Sequence, residues 1–481
     1  MKYNYHRERS GFVKRFIDRQ QELSFLEEQY NGESSSLVIL YGRRRVGKTS
    51  LIHEFATDKP FVYFLASEES ELQSMRGLKE QIAEFTGDTL LAQASVDNWD
   101  ILFQTLTKNI FNRRLVLVLD EFQYLGKINP AFPSIFQRIW EKFLHDKNIM
   151  VILCGSLIHM MKTQTLNYNS PLYGRRTGQI KLRQIDFQHY NEFFDGLSYR
   201  ELIEHYAVTG GVPKYIEMFD GNADIFSKIE RHVLSKRSFL FEEPLFLLQN
   251  EVTETGSYFS IIKSIAAGNR RLSKICADLE VRQTNMPKYL KTLIDLDILE
   301  REVPVTESNP EKSKMGLYRI KDNYLCFWFR FVYPIKARLE LNDSAYALQK
   351  IRANFIDNHV ALIYESVCGS EMWRLARQGR FHFNRLGRWW NNKEEIDLAA
   401  FDGEGNEIIF GECKYRTQPI DIDVFETLLS KKNRVIWKND SRREQFILFS
   451  ISGFTERLQS LASSRGDLVL FKNPERDIMP G

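Results

Sequence analysis

Apolar and polar positions divide the first part of the chain into short strands and longer helices. Apolar runs without a polar break recur, with helical patterns between them, at residues 36–40, 61–64, 115–119 and 150–154. Strands that are apolar throughout, rather than at alternate positions, are typical of a parallel sheet covered on both faces. The pattern therefore predicts an α/β core with a parallel sheet over residues 15–180.

The pattern changes three times along the rest of the chain. Residues 181–250 are mostly helical and are interrupted at 210–213, GGVP, because glycine and proline end helices. They predict a small helical lid. Residues 251–335 carry three helical stretches and then a strand, a turn and a strand, which predicts a winged helix. Residues 340–481 have an α/β pattern of their own and predict a further domain.

A glycine-rich segment follows the first strand and opens a helix. Residues 42–49, GRRRVGKT, match G-x-x-x-x-G-K-[ST], a loop whose backbone N–H groups converge with a helix N-terminus on phosphate oxygens. Lys48 is expected to reach the β- and γ-phosphates and Thr49 to ligate Mg²⁺. A plain glycine turn is the alternative, and the order strand, loop, helix disfavours it. The residues expected to bind ATP here are Gly42, Arg43, Arg44, Arg45, Val46, Gly47, Lys48, Thr49 and Ser50.

Two carboxylates stand at the end of the apolar strand 115–119. Asp120 and Glu121 lie where the carboxyl ends of parallel strands bind ligands. Asp120 is expected to hold Mg²⁺ through its water shell, and Glu121 to orient and deprotonate the attacking water. A solvated acidic turn would have the same sequence, but the phosphate loop in the same sheet favours the catalytic interpretation.

Over residues 15–340 the chain resembles the AAA+ superfamily, and more closely its STAND-type branch, the archaeal ATPase family also found in bacteria. Besides the phosphate loop, the resemblance rests on the segments FIDRQQEL (16–23), LDEF (119–122), CGS (154–156), PLYGRR (171–176) and GVP (211–213). It implies a P-loop AAA+ core that binds and hydrolyses ATP, acts as a nucleotide switch and can form a homo-oligomer when ATP binds.

The resemblance also implies roles for single residues. The segment that ends at Arg19 would lie near the adenine, and Pro213 would mark the lid turn that responds to the nucleotide. Ser156 would be a polar sensor at the end of the fourth strand, although a capping serine is an equally good interpretation. Arg175 or Arg176 could supply a cation to the γ-phosphate, with a solvated charge pair as the alternative.

The predicted winged helix could bind DNA or serve as a spacer. Its third helical stretch, 284–296, places its apolar residues on one face and Lys288 and Lys291 away from that face. Residues 252–321 contain 12 Lys or Arg and 9 Asp or Glu, so the basic excess is slight. Such a charge permits phosphate contacts without requiring them.

A second constellation lies near the C-terminal end of the chain. Residues 395–401 and 408–414 predict two strands joined by a glycine-rich turn, and a hairpin centred on that turn places Asp397 opposite Glu412. Lys414 shares their face because strand side chains alternate. Facing carboxylates repel unless a cation joins them, which indicates Mg²⁺ or Mn²⁺ held by oxygen ligands.

Residues 355–418 resemble the PD-(D/E)xK nuclease superfamily. Asp397, Glu412 and Lys414 match its motif, and Glu365 on the preceding helical stretch resembles its additional glutamate. Ile396 stands where the family often has proline. The resemblance implies a mixed α/β nuclease-like domain in which Asp397, Glu412 and Glu365 bind the metal and Lys414 stabilises developing charge. A degenerate nuclease fold kept for binding is the alternative.

Composition adds few constraints. The chain has 481 residues, 43% of them hydrophobic and 27% charged, with 66 basic and 63 acidic side chains. That balance leaves a nucleic-acid partner open. No apolar stretch reaches the about 20 residues of a membrane-spanning helix, and the first residues do not form a secretory signal. The five cysteines lie far apart without a CxxC pair. We therefore expect a cytoplasmic protein without membrane contact.

Two hypotheses follow for the whole chain. In the first, an ATP-dependent switch controls a DNA-associated, metal-dependent nuclease domain. In the second, a regulatory or signalling ATPase uses its winged helix and nuclease-like domain only to bind DNA or a protein partner. Metal-dependent cleavage of DNA by the purified protein distinguishes the two.

Overall fold

A computed structural model of the protein describes residues 16–108, 110, 114–473 and 477–478. The chain divides into two units. The first ends at Ile185 and also includes Val212–Lys214, while the second comprises Asp186–Gly211 and resumes at Tyr215. Among the described residues, no helix is both long and apolar enough to cross a membrane.

The first unit is built around a parallel sheet, as the apolar runs predict. In the described part of the chain its strands are β1 (Ser36–Tyr41), β2 (Phe61–Leu65), β3 (Leu115–Asp120), β4 (Ile149–Gly155) and β5 (Gly178–Lys181). Their order is β2-β3-β4-β1-β5, and every neighbouring pair is parallel. All residues of β1, β3 and β4 are buried, so both faces of the sheet are covered.

Helices pack on this sheet through their apolar faces. Leu26 of the first helix and Leu51 and Phe55 of the second join the β-strands in one buried core. The third helix begins after Ser70, which accepts a hydrogen bond from the N–H of Gln73, and ends before Gly87 in a left-handed conformation. The helices are α1 (Gln20–Asn31), α2 (Lys48–Ala56), α3 (Glu71–Thr86), α4 (Thr89–Gln93), α5 (Trp99–Lys108), α6 (Gln123–Ile128), α7 (Phe132–Ile139) and α8 (Ile158–Met161).

The second unit begins with helices, as the sequence predicts. Ser198 and Glu201 form a reciprocal capping box at the start of its first helix, and Gly210, with φ of 58°, follows the end of that helix. These helices are α9 (Tyr199–Thr209), α10 (Pro213–Met218, which begins in the first unit), α11 (Ile225–Ile229) and α12 (Glu243–Glu251).

Three helices and an antiparallel strand pair come next. Met286, Leu290 and Leu293 are buried on the inner face of the third helix, as its periodicity predicts, while Lys288 and Lys291 are exposed. The elements are α13 (Thr255–Ala266), α14 (Leu272–Asp278), α15 (Met286–Asp295), β6 (Leu299–Glu302) and β7 (Leu317–Ile320).

A mixed sheet occupies the rest of the second unit. Its strands stand in the order β13-β12-β11-β10-β9-β8, with β10, β11 and β12 parallel and the other neighbouring pairs antiparallel. This sheet confirms the predicted separate α/β pattern. The elements are α16 (Asn323–Phe327), α17 (Lys336–Glu340), α18 (Ser344–Phe355), α19 (Ala361–Arg377), β8 (Arg385–Trp390), β9 (Glu395–Phe401), β10 (Glu407–Lys414), α20 (Ile422–Lys432), β11 (Arg443–Ser450), α21 (Glu456–Ser464), β12 (Leu468–Phe471) and β13 (Asp477–Ile478).

Candidate functional site

The predicted phosphate loop connects β1 to α2. Gly42 is required where the loop leaves the strand, because a Cβ there would lie 2.3 Å from the carbonyl oxygen of Leu182. Gly47 has φ of 98°, a left-handed conformation that favours glycine, and directly precedes α2. Lys48 is buried, and its Nζ donates to the carbonyl oxygens of Gly42 and Arg43 at 3.0 Å each. Its ammonium group therefore lies within the loop.

Thr49 and Asp120 meet at the carboxyl end of the sheet. The hydroxyl of Thr49 donates to Oδ2 of Asp120 at 3.3 Å, although the two residues are 71 positions apart. The hydroxyl of Tyr63 donates to the same oxygen at 2.6 Å. A hydroxyl beside a buried carboxylate supplies the hard oxygen donors that Mg²⁺ prefers, so these residues fit the metal of an ATP site. Burial, and then the charge of Asp120, raise the pKa of Tyr63.

Glu121 is anchored through a single carboxylate oxygen. Its Oε2 accepts hydrogen bonds from the Ser156 hydroxyl at 2.8 Å, from the Ser156 N–H at 3.1 Å and from the Gln123 side-chain amide. Ser156 and Gln123 are buried, and Glu121 has φ of 51°. A Cβ at Gly155 would lie 2.2 Å from the side-chain oxygen of Gln123, so a larger residue there would displace the amide. The structure thus brings together Glu121 and Ser156, both predicted, with Gln123, which was not.

Sequence reasoning missed Tyr63 and Gln123 for different reasons. Tyr63 lies on β2, and only the pairing of β2 with β3, which sets Leu65 beside Asp120, places it near the carboxylate. Gln123 stands two residues after Glu121 and could have been singled out as a polar residue in an apolar context. Its complete burial is a property of the fold and is not encoded by the residue type.

Other predicted residues surround the loop. Arg19 is buried, and its Nη2 donates to the carbonyl oxygens of Val46 at 3.2 Å and Arg183 at 2.6 Å. The Cγ of Pro213 lies 4.0 Å from the position of a Cβ at Gly47. Of the remaining loop residues, Arg44 donates to the Tyr124 hydroxyl at 2.9 Å, while Arg45 and Ser50 are exposed.

Arg175 and Arg176 are not part of this cluster. Arg175 is exposed and pairs with Oε1 of Glu141, with nitrogen to oxygen distances of 3.1 and 2.9 Å. The guanidinium of Arg176 lies 5.5 Å from the ring centroid of Tyr173. Within the described residues, neither arginine contacts the phosphate loop.

The second predicted constellation is assembled on β9 and β10. Gly411 pairs with Leu398, and continuing this antiparallel register by one residue places Glu412 opposite Asp397. Nζ of Lys414 lies 2.6 Å from Oε2 of Glu412 and 3.5 Å from Oδ2 of Asp397. The Cys413 N–H also donates to Oδ2 of Asp397, at 2.9 Å. The three predicted residues therefore do share one face.

Protein cations already neutralise these carboxylates. Lys431 of α20 donates to Oε1 of Glu412, so both oxygens of Glu412 accept from lysines. Glu365 faces Nε of Arg388 at 3.6 Å. In the described part of the chain, no group of three or more His, Cys, Asp and Glu side chains is arranged to hold a metal ion. The cation inferred from charge repulsion is therefore supplied here by lysine, and a metal at Glu412 requires a lysine to withdraw.

The charges of this cluster influence one another strongly. Burial, and then the charge of Asp397, raise the pKa of Glu365 to about 7. The same two causes raise the pKa of Glu412. Burial alone would lower the pKa of Lys414, but Asp397 and Glu412 together raise it. Carboxylates and lysine thus form one electrostatic unit, with Asp397 as its common member.

Two family models match the chain. Residues 16–219 match the family described as an ATPase domain predominantly from Archaea. Residues 328–434 match the family described as Archaea bacterial proteins of unknown function. The first match contains every residue of the phosphate site described above, and the second contains Glu365, Asp397, Glu412 and Lys414.

Individual proteins are also similar. Protein MJECL04 of Methanocaldococcus jannaschii is 31% identical over 459 residues, which cover 95% of this chain and 98% of that protein. The ATP-binding protein MJ0423 of the same organism is 54% identical over 44 residues, 9% of this chain and 75% of that protein. Among solved structures, a Walker-type ATPase of Pyrococcus abyssi is 21% identical, with a TM-score of 0.49 over 65% of this chain and 96% of that one. The chain therefore belongs to the family of MJECL04, and its first part is a P-loop ATPase domain of the kind found predominantly in Archaea.

Proposed function

We propose that this chain binds ATP with Mg²⁺, hydrolyses it and uses the nucleotide as a switch. The observation that carries the proposal is the convergence of Lys48, the Thr49–Asp120 pair and Glu121 at the carboxyl ends of β1 and β3. A cation, a metal-binding oxygen pair and a general base are the groups that phosphoryl transfer to water requires.

Each residue has a separable role in that reaction. The loop N–H groups and Lys48 bind the phosphates, and Thr49 and Asp120 hold Mg²⁺, which neutralises charge on the phosphate oxygens. Glu121 takes a proton from the attacking water while the oxygen of that water forms a bond to the γ-phosphorus. The bond from that phosphorus to the oxygen of ADP breaks at the same centre, and ADP and phosphate are released. Ser156 and Gln123 fix the carboxylate that accepts the proton.

Two variants test the ATPase. Lys48→Ala should weaken ATP binding because it removes the phosphate cation, whereas Glu121→Gln should bind ATP like the parent and lose turnover. Binding of labelled ATP and release of phosphate measure the two effects independently. Hydrolysis at the parent rate by Glu121→Gln would remove Glu121 from its role.

We further propose that residues 15–180 form the ATPase core, 181–250 the lid, 251–335 a winged helix and 340–481 a nuclease-like domain of a STAND-type switch. DNA is the proposed partner, bound in part by Lys288 and Lys291, and ATP binding is proposed to promote a homo-oligomer. The buried apolar face of α15, with its two lysines exposed, supports the winged-helix proposal.

A second candidate function is metal-dependent cleavage of nucleic acid by the nuclease-like domain. The position of Lys414 between Asp397 and Glu412 favours it, because a lysine beside paired carboxylates suits a phosphodiester under attack by water. Asp397, Glu412 and Glu365 would hold Mg²⁺ or Mn²⁺ after Lys431 releases Glu412.

Metal binding can be measured before any activity is known. In the Lys48→Ala background, Mg²⁺ or Mn²⁺ should raise the thermal unfolding temperature, and a further Asp397→Ala change should abolish that rise. Lys414→Ala should retain the metal effect yet lose DNA nicking by roughly 10²-fold, because its charge acts mainly in the transition state. Metal stabilisation without cleavage of DNA or RNA would indicate a binding module. Absence of metal stabilisation would contradict the site itself.

A further inference from the structure

The chain carries an unusually basic segment that, apart from Arg388, neither proposed active site uses. Residues 372–393 contain five arginines, one lysine and no acidic residue, although the whole chain has 66 basic and 63 acidic residues. The same segment contains three tryptophans. It comprises the end of α19, the following loop, the edge strand β8 and the turn into β9.

Two of the arginines are structural. Nε of Arg374 donates to Glu371 at 2.6 Å. Arg388 is largely buried and pairs with Glu395 at 2.9 Å as well as with Glu365. Charges that are paired in this way are costly to separate from their partners and are not accessible to a ligand.

Three other cations of the segment face solvent without a carboxylate partner. Arg377 donates to the side-chain oxygen of Gln188 at 2.9 Å, and Arg385 lies 5.9 Å from the ring centroid of Phe401. Lys393 is exposed in the turn between β8 and β9. Within the described residues, no ion pair neutralises these three charges. Exposed cations without a carboxylate partner are available to an anionic ligand.

The fold sets Arg385 and Lys393 at the two ends of β8, the last strand of the sheet, and Arg377 at the end of α19. The middle of β8 is covered, since the carbonyl oxygen of Arg388 accepts a hydrogen bond from the Val305 N–H at 2.9 Å. Trp373 packs against Phe383 with ring centroids 4.7 Å apart and ring planes inclined at 55°, which holds the loop that leads to Arg385 against the end of α19. Arg385 begins β8 and Lys393 follows its end, so the strand between them is about 20 Å long at about 3.3 Å per residue. Arg388 interrupts the pairing between Gly387 and Trp389, at the level of Asp397 on β9. The edge with the exposed cations therefore runs beside the Asp397 cluster.

We propose that Arg377, Arg385 and Lys393 bind the phosphate backbone of a nucleic acid and that Trp373, which is 40% exposed, stacks on a base. Guanidinium groups match phosphate oxygens in geometry and charge, and an exposed indole offers a face to any base. A strip of about 20 Å spans several successive phosphates, since one strand of duplex DNA carries a charge every 3.4 Å along the axis. The nucleic acid would lie along β8, next to Asp397 and Glu412. The choice of nucleic acid as the ligand rests on the second candidate function, cleavage of nucleic acid at those carboxylates.

Binding of labelled DNA to the full chain in EDTA tests the inference, because EDTA prevents cleavage and separates binding from the nuclease proposal. The Arg377→Ala/Arg385→Ala/Lys393→Ala variant should lose affinity, and the slope of log K against log salt should fall by about 2 to 3 units for duplex DNA, since each phosphate contact contributes about 0.9. Trp373→Ala should lower the affinity for single-stranded DNA by roughly 10-fold and should lower the affinity for duplex DNA less. Arg377, Arg385 and Lys393 are exposed, so the triple variant should retain the parent unfolding temperature.

The Arg443→Ala/Arg457→Ala variant is the control, because it removes two exposed charges from the same sheet domain outside residues 372–393. It should keep the parent affinity. An unchanged affinity and salt slope in the triple variant would overturn the proposal, and so would an equal loss in the control. If the triple variant lost binding of polyglutamate but kept binding of DNA, the strip would be assigned to an acidic protein, which would equally contradict the proposal. If the parent protein binds DNA in EDTA and the triple variant binds it more weakly, but the parent does not cleave DNA in Mn²⁺, this inference is supported and only the nuclease proposal is contradicted.

Discussion

Glu121 is held in a way that leaves one carboxylate oxygen for chemistry. All three donors, two from Ser156 and one from Gln123, bind Oε2. An anchored carboxylate presents its other oxygen to a water molecule in a fixed direction, and fixed orientation is a large part of general-base catalysis. Gln123 is therefore a positioning residue for the proposed hydrolysis.

We expect Gln123→Met to lower kcat by roughly 10-fold and to leave KM for ATP unchanged, because the variant keeps the buried volume and loses only the donor. Steady-state phosphate release measures both constants. Gln137→Met, at a half-buried position of α7, is the control and should behave like the parent. A parent kcat in Gln123→Met, together with an inactive Glu121→Gln, would contradict the role of Gln123 and leave that of Glu121 intact.

The burial of His359 predicts that the second unit is sensitive to acid. Its ring is fully buried, Nε2 donates to the carbonyl oxygen of Ala207 at 2.7 Å, and Nδ1 has no hydrogen-bond partner among the described residues. Burial, and then the charge of Arg330, lower the pKa of His359 from 6.5 to about 3. The folded protein therefore keeps this ring neutral at pH values where the unfolded chain binds a proton.

The stability contributed by neutral His359 should be complete above pH 6.5 and should decline as the pH falls towards 3. Denaturant unfolding over that range measures the decline. His359→Gln should flatten it because glutamine retains a donor for Ala207 and cannot be protonated. His382→Gln is the control, since the His382 side chain is 87% exposed. Identical pH profiles for the parent and His359→Gln would show that this ring does not control the acid response.

At the scale of elements, the strand pair after α15 differs from a freely exposed DNA-binding wing. Arg301 donates to the carbonyl oxygens of Pro310 at 2.7 Å and Ser313 at 2.6 Å. Arg319 of β7 pairs with Glu300 and donates to Ser366 of α19 at 3.2 Å. These arginines stabilise the hairpin and its contact with α19. DNA binding by this region would therefore fall mainly to Lys288 and Lys291.

If those lysines contact phosphates, the Lys288→Ala/Lys291→Ala variant should bind DNA more weakly, and its log–log salt slope should fall by about 2 units. The measurement is DNA affinity over a salt series. A conservative Lys288→Arg/Lys291→Arg variant should restore both affinity and slope, because it restores the charge. Affinity and slope equal to the parent in the alanine variant would instead indicate a spacer.

At the scale of the whole molecule, the two arginines of the PLYGRR motif bear on oligomerisation. Arg175 is exposed and pairs with Glu141 of its own chain, and Arg176 lies beside Tyr173. An arginine that completes the ATP site from a neighbouring protomer must be accessible, and the pairing of Arg175 with Glu141 is weak enough to exchange because both groups are exposed.

We expect the rate of hydrolysis per chain to rise with protein concentration and the loss of the acting arginine to lower turnover by about 10³-fold. Arg175→Ala and Arg176→Ala, measured over a concentration series, identify the acting residue. Glu141→Ala serves as the control, because it releases Arg175 from its ion pair and keeps the positive charge of Arg175. Rates that equal the parent in both arginine variants and do not depend on concentration would exclude a finger in trans.

The sequence by itself determined the elements whose chemistry is local. A strand, a glycine loop and a helix start are contiguous in residues 36–56, so the phosphate loop and Lys48 could be assigned without the fold. The same holds for the hairpin that pairs Asp397 with Glu412, because turn position fixes register. The buried face of α15 follows from its 3.6-residue period.

Only the tertiary structure decided what distant segments bring together. Lys431 of α20 reaches Glu412, and so provides the positive charge that local reasoning assigned to a metal. Tyr63 and Gln123 gain their partners through strand pairing and burial. The strand β5 is short and partly polar, and it pairs with β1 where Gly178 leaves room for Phe25 of α1, whose ring would lie 2.2 Å from a Cβ at that position. Such contacts depend on packing between elements, which no periodicity or motif within one segment records.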